Sequence, residues 1–147
     1  MKLQIKKLVP NAIIPTRGSQ MSAGYDLYAY KEGGGEYIIG PHQTELVRTG
    51  LSIALPDGYF SALFARSGLA TKEGLRPANC VGICDADYRG EYMVALHNDS
   101  ERIRTVGNGE RIAQLVVLPY QTLEFEEVDT LPDTERGVGG FGSTGKN

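Results

Sequence analysis

Histidine and cysteine are scarce in this chain, with two of each among 147 residues. His42 and His97 leave little material for a hydrolase built around a histidine base. Cys80 and Cys84 stand in a stretch that reads as a strand. A rise of about 3.3 Å per residue would separate their Cα atoms by roughly 13 Å, well beyond the roughly 7 Å a disulfide spans. Their spacing also misses the usual zinc pattern, so they read as reduced, packed thiols of a reducing, cytoplasmic compartment. No run approaches the roughly 18 apolar residues of a membrane span, and the opening MKLQIKKLVP lacks the long apolar segment of a secretory signal, so no membrane partner is expected. Positive charge is not in excess either. Fifteen Lys and Arg against 18 Asp and Glu give a net charge of −3, which repels a nucleic-acid polymer.

Helical periodicity is also missing: no window sustains a 3.6-residue apolar period over ten or more residues. Period-two patches recur instead, at Leu3–Lys6, Tyr59–Phe64, Tyr92–His97 and Arg111–Val116, separated by Gly, Pro, Asn and Asp. Pro56-Asp57-Gly58 is turn chemistry between two of them. Ser67 to Lys72 offers one short helix, with Ser67 as its cap. With 41% hydrophobic and 22% charged residues, the chain suits one folded domain and excludes a largely disordered one. Many short strands predict an all-β sandwich or barrel over 1–133. Glycine is in surplus, 19 where average usage gives roughly ten, and crowds the last dozen residues. The stretch from Thr130 has little apolar content, and residues 134–147 read as a mobile glycine-rich tail.

The informative polar groups are those that break the alternation. In NCVGICD, Asn79, Val81, Ile83 and Asp85 share one face, so Asp85 ends an apolar stripe and opens the loop to Gly90. A partly desolvated carboxylate there could act as a base; equally, Asp and Gly could simply suit a hairpin turn. Gln114 shares a face with Ile112, Val116 and Leu118, as a satisfied core amide or a ligand contact. Asp26 faces away from Tyr25, Leu27 and Ala29, and is either solvent-facing or a carboxylate holding a cation through water. Arg66, Ser67 and Gly68 at a helix start suit an anion, or form a surface Arg beside a capping Ser.

Three motif matches fail on context. Gly137–Gly142 spells GxGxxG, but no strand precedes it and five residues follow. Gly140–Lys146 spells GxxxxGK, but Asn147 stands where a P-loop needs Ser or Thr. Asp85-Ala86-Asp87 begins like a calcium loop, but Arg89 and Leu96 occupy ligand positions. What survives is general: successive glycine amides beside Ser143 and Thr144 can curl round phosphate oxygens, and Phe141 can stack on a flat ring.

Five blocks fall in one order: AGYDLYA (23–29), RSGLA (66–70), GICDADYRGEY (82–92), GERIAQLVV (109–117) and RGVGGFGSTG (136–145). Together they resemble the five motifs of trimeric deoxyuridine triphosphatases (dUTPases). The resemblance implies a jelly-roll-like β fold, a distorted barrel, assembled as a homotrimer with active sites at subunit interfaces. It implies hydrolysis of dUTP to dUMP and pyrophosphate with Mg²⁺ on the triphosphate, supplying dUMP for thymidylate synthesis and keeping uracil out of DNA. Asp85 then matches the aspartate that activates the attacking water. The hairpin from Asn79 through Ile83 and Cys84 to Tyr88 matches the uracil site, with Tyr88 under the deoxyribose and Met93 a further contact on the return strand. Arg66, Ser67 and Gly68 match phosphate contacts given to a neighbouring subunit, Gln114 a glutamine near the phosphates, and Asp26 an aspartate linked to the metal's water shell. Arg136, Gly142, Ser143 and Thr144 match groups that close on the phosphates, and Phe141 the aromatic stacked on uracil. Ala65 and Cys84 depart from the family's usual proline and aliphatic residue, and neither departure removes a chemical group the reaction uses. The related dCTP deaminases share the fold, but this hairpin resembles the uracil-selective version. A non-catalytic nucleotide sensor is the other alternative, and Asp85, Tyr88 and the complete tail speak against it.

Overall fold

Eleven short strands and one helical turn make up the structure, a computed structural model that describes residues 2–140. The strands are β1 (Gln4–Lys7), β2 (Tyr25–Tyr28), β3 (Glu36–Ile39), β4 (Thr44–Arg48), β5 (Leu51–Ala54), β6 (Tyr59–Phe64), β7 (Leu75–Pro77), β8 (Val81–Cys84), β9 (Met93–Asn98), β10 (Arg104–Gly107) and β11 (Arg111–Pro119). They pair antiparallel in four sheets: β1-β5, β10-β3, β4-β9-β7, and the four-stranded β2-β11-β6-β8. Among the described residues no sheet closes on itself, so the architecture is jelly-roll-like and all-β without a closed barrel.

Short strands of alternating character bury one face each, and the buried faces meet in a single core. Leu27, Ile39, Val47, Ile53, Leu63, Val94, Leu96, Val106, Ile112 and Leu115 are its main members. Each such side chain contributes about 1.5–3 kcal/mol relative to leaving it in water. The turn expected at Pro56-Asp57-Gly58 is present: Gly58 takes φ +78°, which L side chains resist, and the Tyr59 amide donates to the Pro56 carbonyl at 3.3 Å. The period-two patches at Tyr59–Phe64 and Arg111–Val116 fall on β6 and β11, and Tyr92–His97 is displaced by one residue onto β9.

Three local expectations are corrected. Ser67 does not cap a helix through its side chain. The helical piece, Leu69–Glu73, is a single wide turn entered through Gly68 with no side-chain cap, and the Ser67 carbonyl accepts from Thr71 Oγ1 at 2.7 Å. Cys80 is not in a strand: it sits in the tight turn before β8 with φ +62°. Both thiols are free, as expected, but Cys80 is exposed in its turn and not packed, while Cys84 is half-buried. Along β11, a register shift between Arg111 and Ala113 lets Ile112 and Ala113 both go under, so Gln114 does not share its face with a buried Ile112 in simple alternation.

Beyond Pro119 the chain leaves the sheets. Residues 120–140 form no strand or helix and are almost wholly exposed. The C-terminal side of the stretch from Asp85 to Gly90 is fixed by the corner between β4 and β5 and by the start of β5. The Ser52 hydroxyl donates to the Arg89 carbonyl (2.9 Å), the Tyr92 amide to the Leu51 carbonyl (2.8 Å), and Thr49 Oγ1 to the Tyr92 carbonyl (2.6 Å).

Candidate active site

β8 runs antiparallel to β6, with Ser61 opposite Cys84 and Leu63 opposite Gly82. Gly82 and Cys84 therefore point inward, and the stripe of Val81 and Ile83 points outward, with Ile83 65% exposed. Asp85, at the strand's end, is exposed as well, so the expected partial desolvation of this carboxylate is not found in the single chain. The reason is the identity of the inward residues: glycine and a small thiol leave the apolar pair on the outside.

Asp85 lies where two cavities meet. The smaller, of about 260 Å³, is lined by Leu46, Ile83, Cys84, Asp85, Tyr88, Glu91, Tyr92 and Met93. Five residues singled out in the sequence thus converge on one hollow. The wider, of about 670 Å³, takes Asp57, Phe60, Ile83, Asp85, Ala86, Asp87, Arg89 and Tyr120. Three carboxylates against one guanidinium make the wider cavity negative, so a polyanion entering it needs cations of its own. Asn79 stays outside both, exposed in the turn before β8, with its carbonyl taking the Val81 amide at 2.7 Å.

Behind the smaller cavity is a buried polar pair that sequence reasoning missed. The Tyr92 side chain is 1% exposed, and its hydroxyl pairs with Ser61 Oγ at 2.9 Å beside Cys84. Burial pushes the Cys84 thiol up from its ordinary value, leaving it neutral. Burial likewise pushes the Tyr92 hydroxyl up to about 12, with the Ser61 hydrogen bond acting the other way. The unfolded chain loses that proton near pH 10 and the folded chain near 12. Folding stability is therefore expected to fall as pH rises through this window, because there the unfolded state binds fewer protons. Denaturation midpoints across the window should decline more steeply for the natural chain than for Tyr92→Phe; equal slopes would contradict this. Alternation within Tyr92–His97 was the signal for an inward Tyr92, but its partner on β6 has no local signature.

A second cluster lies on the same four-stranded sheet. Asp26 on β2, Gln114 on β11, Phe64 on β6 and Val81 on β8 stand in one row across it. Asp26 is 8% exposed and therefore not solvent-facing. Its Oδ1 accepts from Arg66 Nε at 3.0 Å and its Oδ2 from Arg111 Nη1 at 3.3 Å. Arg66, just past the end of β6, also donates through Nη1 to the Arg111 carbonyl at 3.4 Å, so it is held in place by its partners. Arg66 and Arg111 line a cavity of about 480 Å³ with Tyr28, Glu73, Thr105 and Glu110 among its walls. Arg111 was not foreseen; its partner Asp26 lies 85 residues away in sequence. Gln114 packs against Gly24, where a Cβ would meet its Oε1 at 3.0 Å. Gly68 has right-handed backbone angles, φ −63° and ψ −40°, and open space around its Cα.

Magnesium was expected from the resemblance. Among the described residues no three His, Cys, Asp or Glu side chains converge as a metal site, and both Asp26 oxygens already face guanidinium groups. These residues do not fit a resident metal centre. Arg136 is exposed and donates through Nε to the Gly139 carbonyl at 2.8 Å. Phe141, Gly142, Ser143 and Thr144 lie outside the described residues.

The fold and these two clusters define an all-β, jelly-roll-like protein with a carboxylate at the lip of a hairpin cavity and fixed guanidinium groups at the far edge of the same sheet. A family profile described as dUTPase matches residues 10–145, and the chain belongs to that family. It is 45% identical over 146 residues to a deoxyuridine 5'-triphosphate nucleotidohydrolase of Nautilia profundicola, covering 99% of this chain and all of the relative. It is 46% identical over 148 residues to the human mitochondrial protein of that name, covering all of this chain and 56% of the relative. Among solved structures, a Staphylococcus bacteriophage 80alpha dUTPase with dUpNHpp aligns at a TM-score of 0.84 with 29% identity, over 98% of each chain. No helix among the described residues is long and apolar enough to cross a membrane.

Proposed function

We propose that this chain hydrolyses dUTP to dUMP and pyrophosphate, with Asp85 as the general base. The observation that carries this is the convergence of Ile83, Cys84, Asp85, Tyr88 and Met93 on one cavity in a chain of the dUTPase family. The smaller cavity takes the deoxyuridine, with Tyr88 against the sugar and the backbone of the Asn79–Tyr88 hairpin reading the base. Asp85 accepts a proton from a water whose oxygen attacks the α-phosphorus. The bond from that phosphorus to the bridging oxygen breaks, its electrons leave on pyrophosphate, and the water's hydroxyl stays on dUMP. Such a displacement needs alignment and charge neutralisation more than covalent catalysis. The nucleotide enters as its magnesium chelate, in keeping with the negative lining of the wider cavity.

The guanidinium cluster serves a different copy of the chain. Val81 and Asp26 are three strand spacings apart, and Asp85 lies four residues beyond Val81. At about 4.8 Å per strand and 3.3 Å per residue, that puts Asp26 roughly 20 Å from Asp85, too far to share one triphosphate. A homotrimer that brings Arg66, Ser67, Gly68 and Gln114 of one subunit beside Asp85 of the next resolves the separation. The outward Val81 and Ile83, which a monomer would leave in water, support such a contact. Residues 134–147, with Arg136, Phe141, Gly142, Ser143 and Thr144, close over the bound nucleotide as a lid.

The test is a panel of dUTP and the four canonical deoxynucleoside triphosphates against purified protein, scored for pyrophosphate and for ammonia. Pyrophosphate from dUTP, with little from the others and no ammonia from dCTP, is the expected result. Ammonia from dCTP would make the chain a deaminase, and no turnover of any nucleotide would make it a binding protein.

A further inference from the structure

Tyr88 is held in one pose by three neighbours. Its hydroxyl donates to the Glu91 carbonyl at 2.9 Å. Its ring lies 6.1 Å from the Tyr92 ring at 52°, and Tyr92 is itself buried and tied to Ser61, Leu51 and Thr49. Its phenol end lies over Gly90, where a Cβ would meet Tyr88 Cζ at 2.5 Å and Cε2 at 2.9 Å. Atoms do not approach so closely, so one of the two must move. Gly90 is not in the left-handed region, so its backbone would accept alanine; what the glycine supplies is space for the ring.

The neighbours on the other side are stiff. The Glu91 carboxylate accepts from the Gly50 amide at 2.7 Å and from Arg48 Nε at 3.0 Å, and its side chain is 13% exposed. Tyr88, 40% exposed, is the part that can swing. A substituent on Gly90 would therefore tilt the ring and leave the backbone from Arg89 to Tyr92 where it is.

We infer that Gly90 and Tyr92 are positioning residues for Tyr88, and that through its ring they set the preference for 2'-deoxyribose over ribose. This rests on the smaller cavity being the nucleoside site. A wall that rejects one extra hydroxyl must not yield by even a fraction of an ångström, and Tyr88 borders that cavity through a ring whose pose these two residues dictate. Gly90 is not among the residues that line that cavity, so it acts through the ring alone, whereas Tyr92 also borders the cavity.

Gly90→Ala in the full chain, assayed on dUTP and UTP, tests it. The expected result is a KM for dUTP raised about tenfold, kcat lowered less than about threefold, and a dUTP-to-UTP ratio of kcat/KM reduced at least about tenfold, the scale of one misplaced group in a fitted pocket. In a Tyr88→Ala background the same substitution should change the ratio no further. Tyr92→Phe keeps the ring and should keep the discrimination, whereas Tyr92→Leu should lose it. An unchanged ratio in Gly90→Ala, or an equal drop with Tyr88 already removed, would overturn the inference while leaving dUTP hydrolysis by the natural chain intact. A natural chain that releases no pyrophosphate from dUTP would instead remove the functional proposal itself.

Discussion

Asp85→Asn is expected to lower turnover of dUTP at least 10²-fold while the nucleotide still binds, the scale of a lost general base. Asparagine keeps the shape and removes the basic lone pair. The competing carboxylates are poorly placed to substitute. Glu91 lines the same small cavity, but its oxygens are taken by the Arg48 guanidinium and the Gly50 amide. Asp57 and Asp87 border only the wider cavity. Asp85 borders both, and among the described residues its carboxylate has no hydrogen-bond or ion-pair partner, so it is available to a water. Pyrophosphate release beside calorimetric binding of a non-hydrolysable analogue separates the two effects. Turnover close to that of the natural chain would remove Asp85 from this role.

Deleting residues 134–147 is the second large effect, an expected loss of at least 10²-fold in kcat/KM with fold and assembly unchanged. No described residue beyond Pro119 belongs to a strand or to the core, so removing the end of the chain takes nothing from the packed interior. What it removes is Arg136 and a glycine-rich run bearing an aromatic and two hydroxyls, groups suited to enclosing a nucleotide and excluding bulk water. Far-ultraviolet dichroism and gel filtration should match those of the full chain. A truncated protein with full activity would contradict the lid.

The hairpin was legible in the sequence because its residues are neighbours: Ile83, Cys84, Asp85, Tyr88 and Met93 lie within eleven positions and meet in one cavity. β6 and β11 were legible from their alternation. The orientation of β8 was not, because the alternation reads the same whether the apolar stripe faces in or out, and only the partners Ser61 and Leu63 decide it. The pairing of Asp26 with Arg66 and Arg111 was hidden for a similar reason: all three sit in recognisable blocks, but their ion pairs span 40 and 85 residues. The wide turn at Leu69–Glu73 was expected as a helix with a serine cap, and its chain instead enters through Gly68 without one. Register and long-range charge pairing are fixed by tertiary packing, which no local pattern encodes.

Hydrolysis of dUTP in water enriched in ¹⁸O, with the products separated and weighed by mass spectrometry, bears most directly on the proposed chemistry. Label carried on dUMP, with unlabelled pyrophosphate, is the predicted outcome of attack at the innermost phosphorus. Label in the pyrophosphate would place the attack on the next phosphorus out and contradict it.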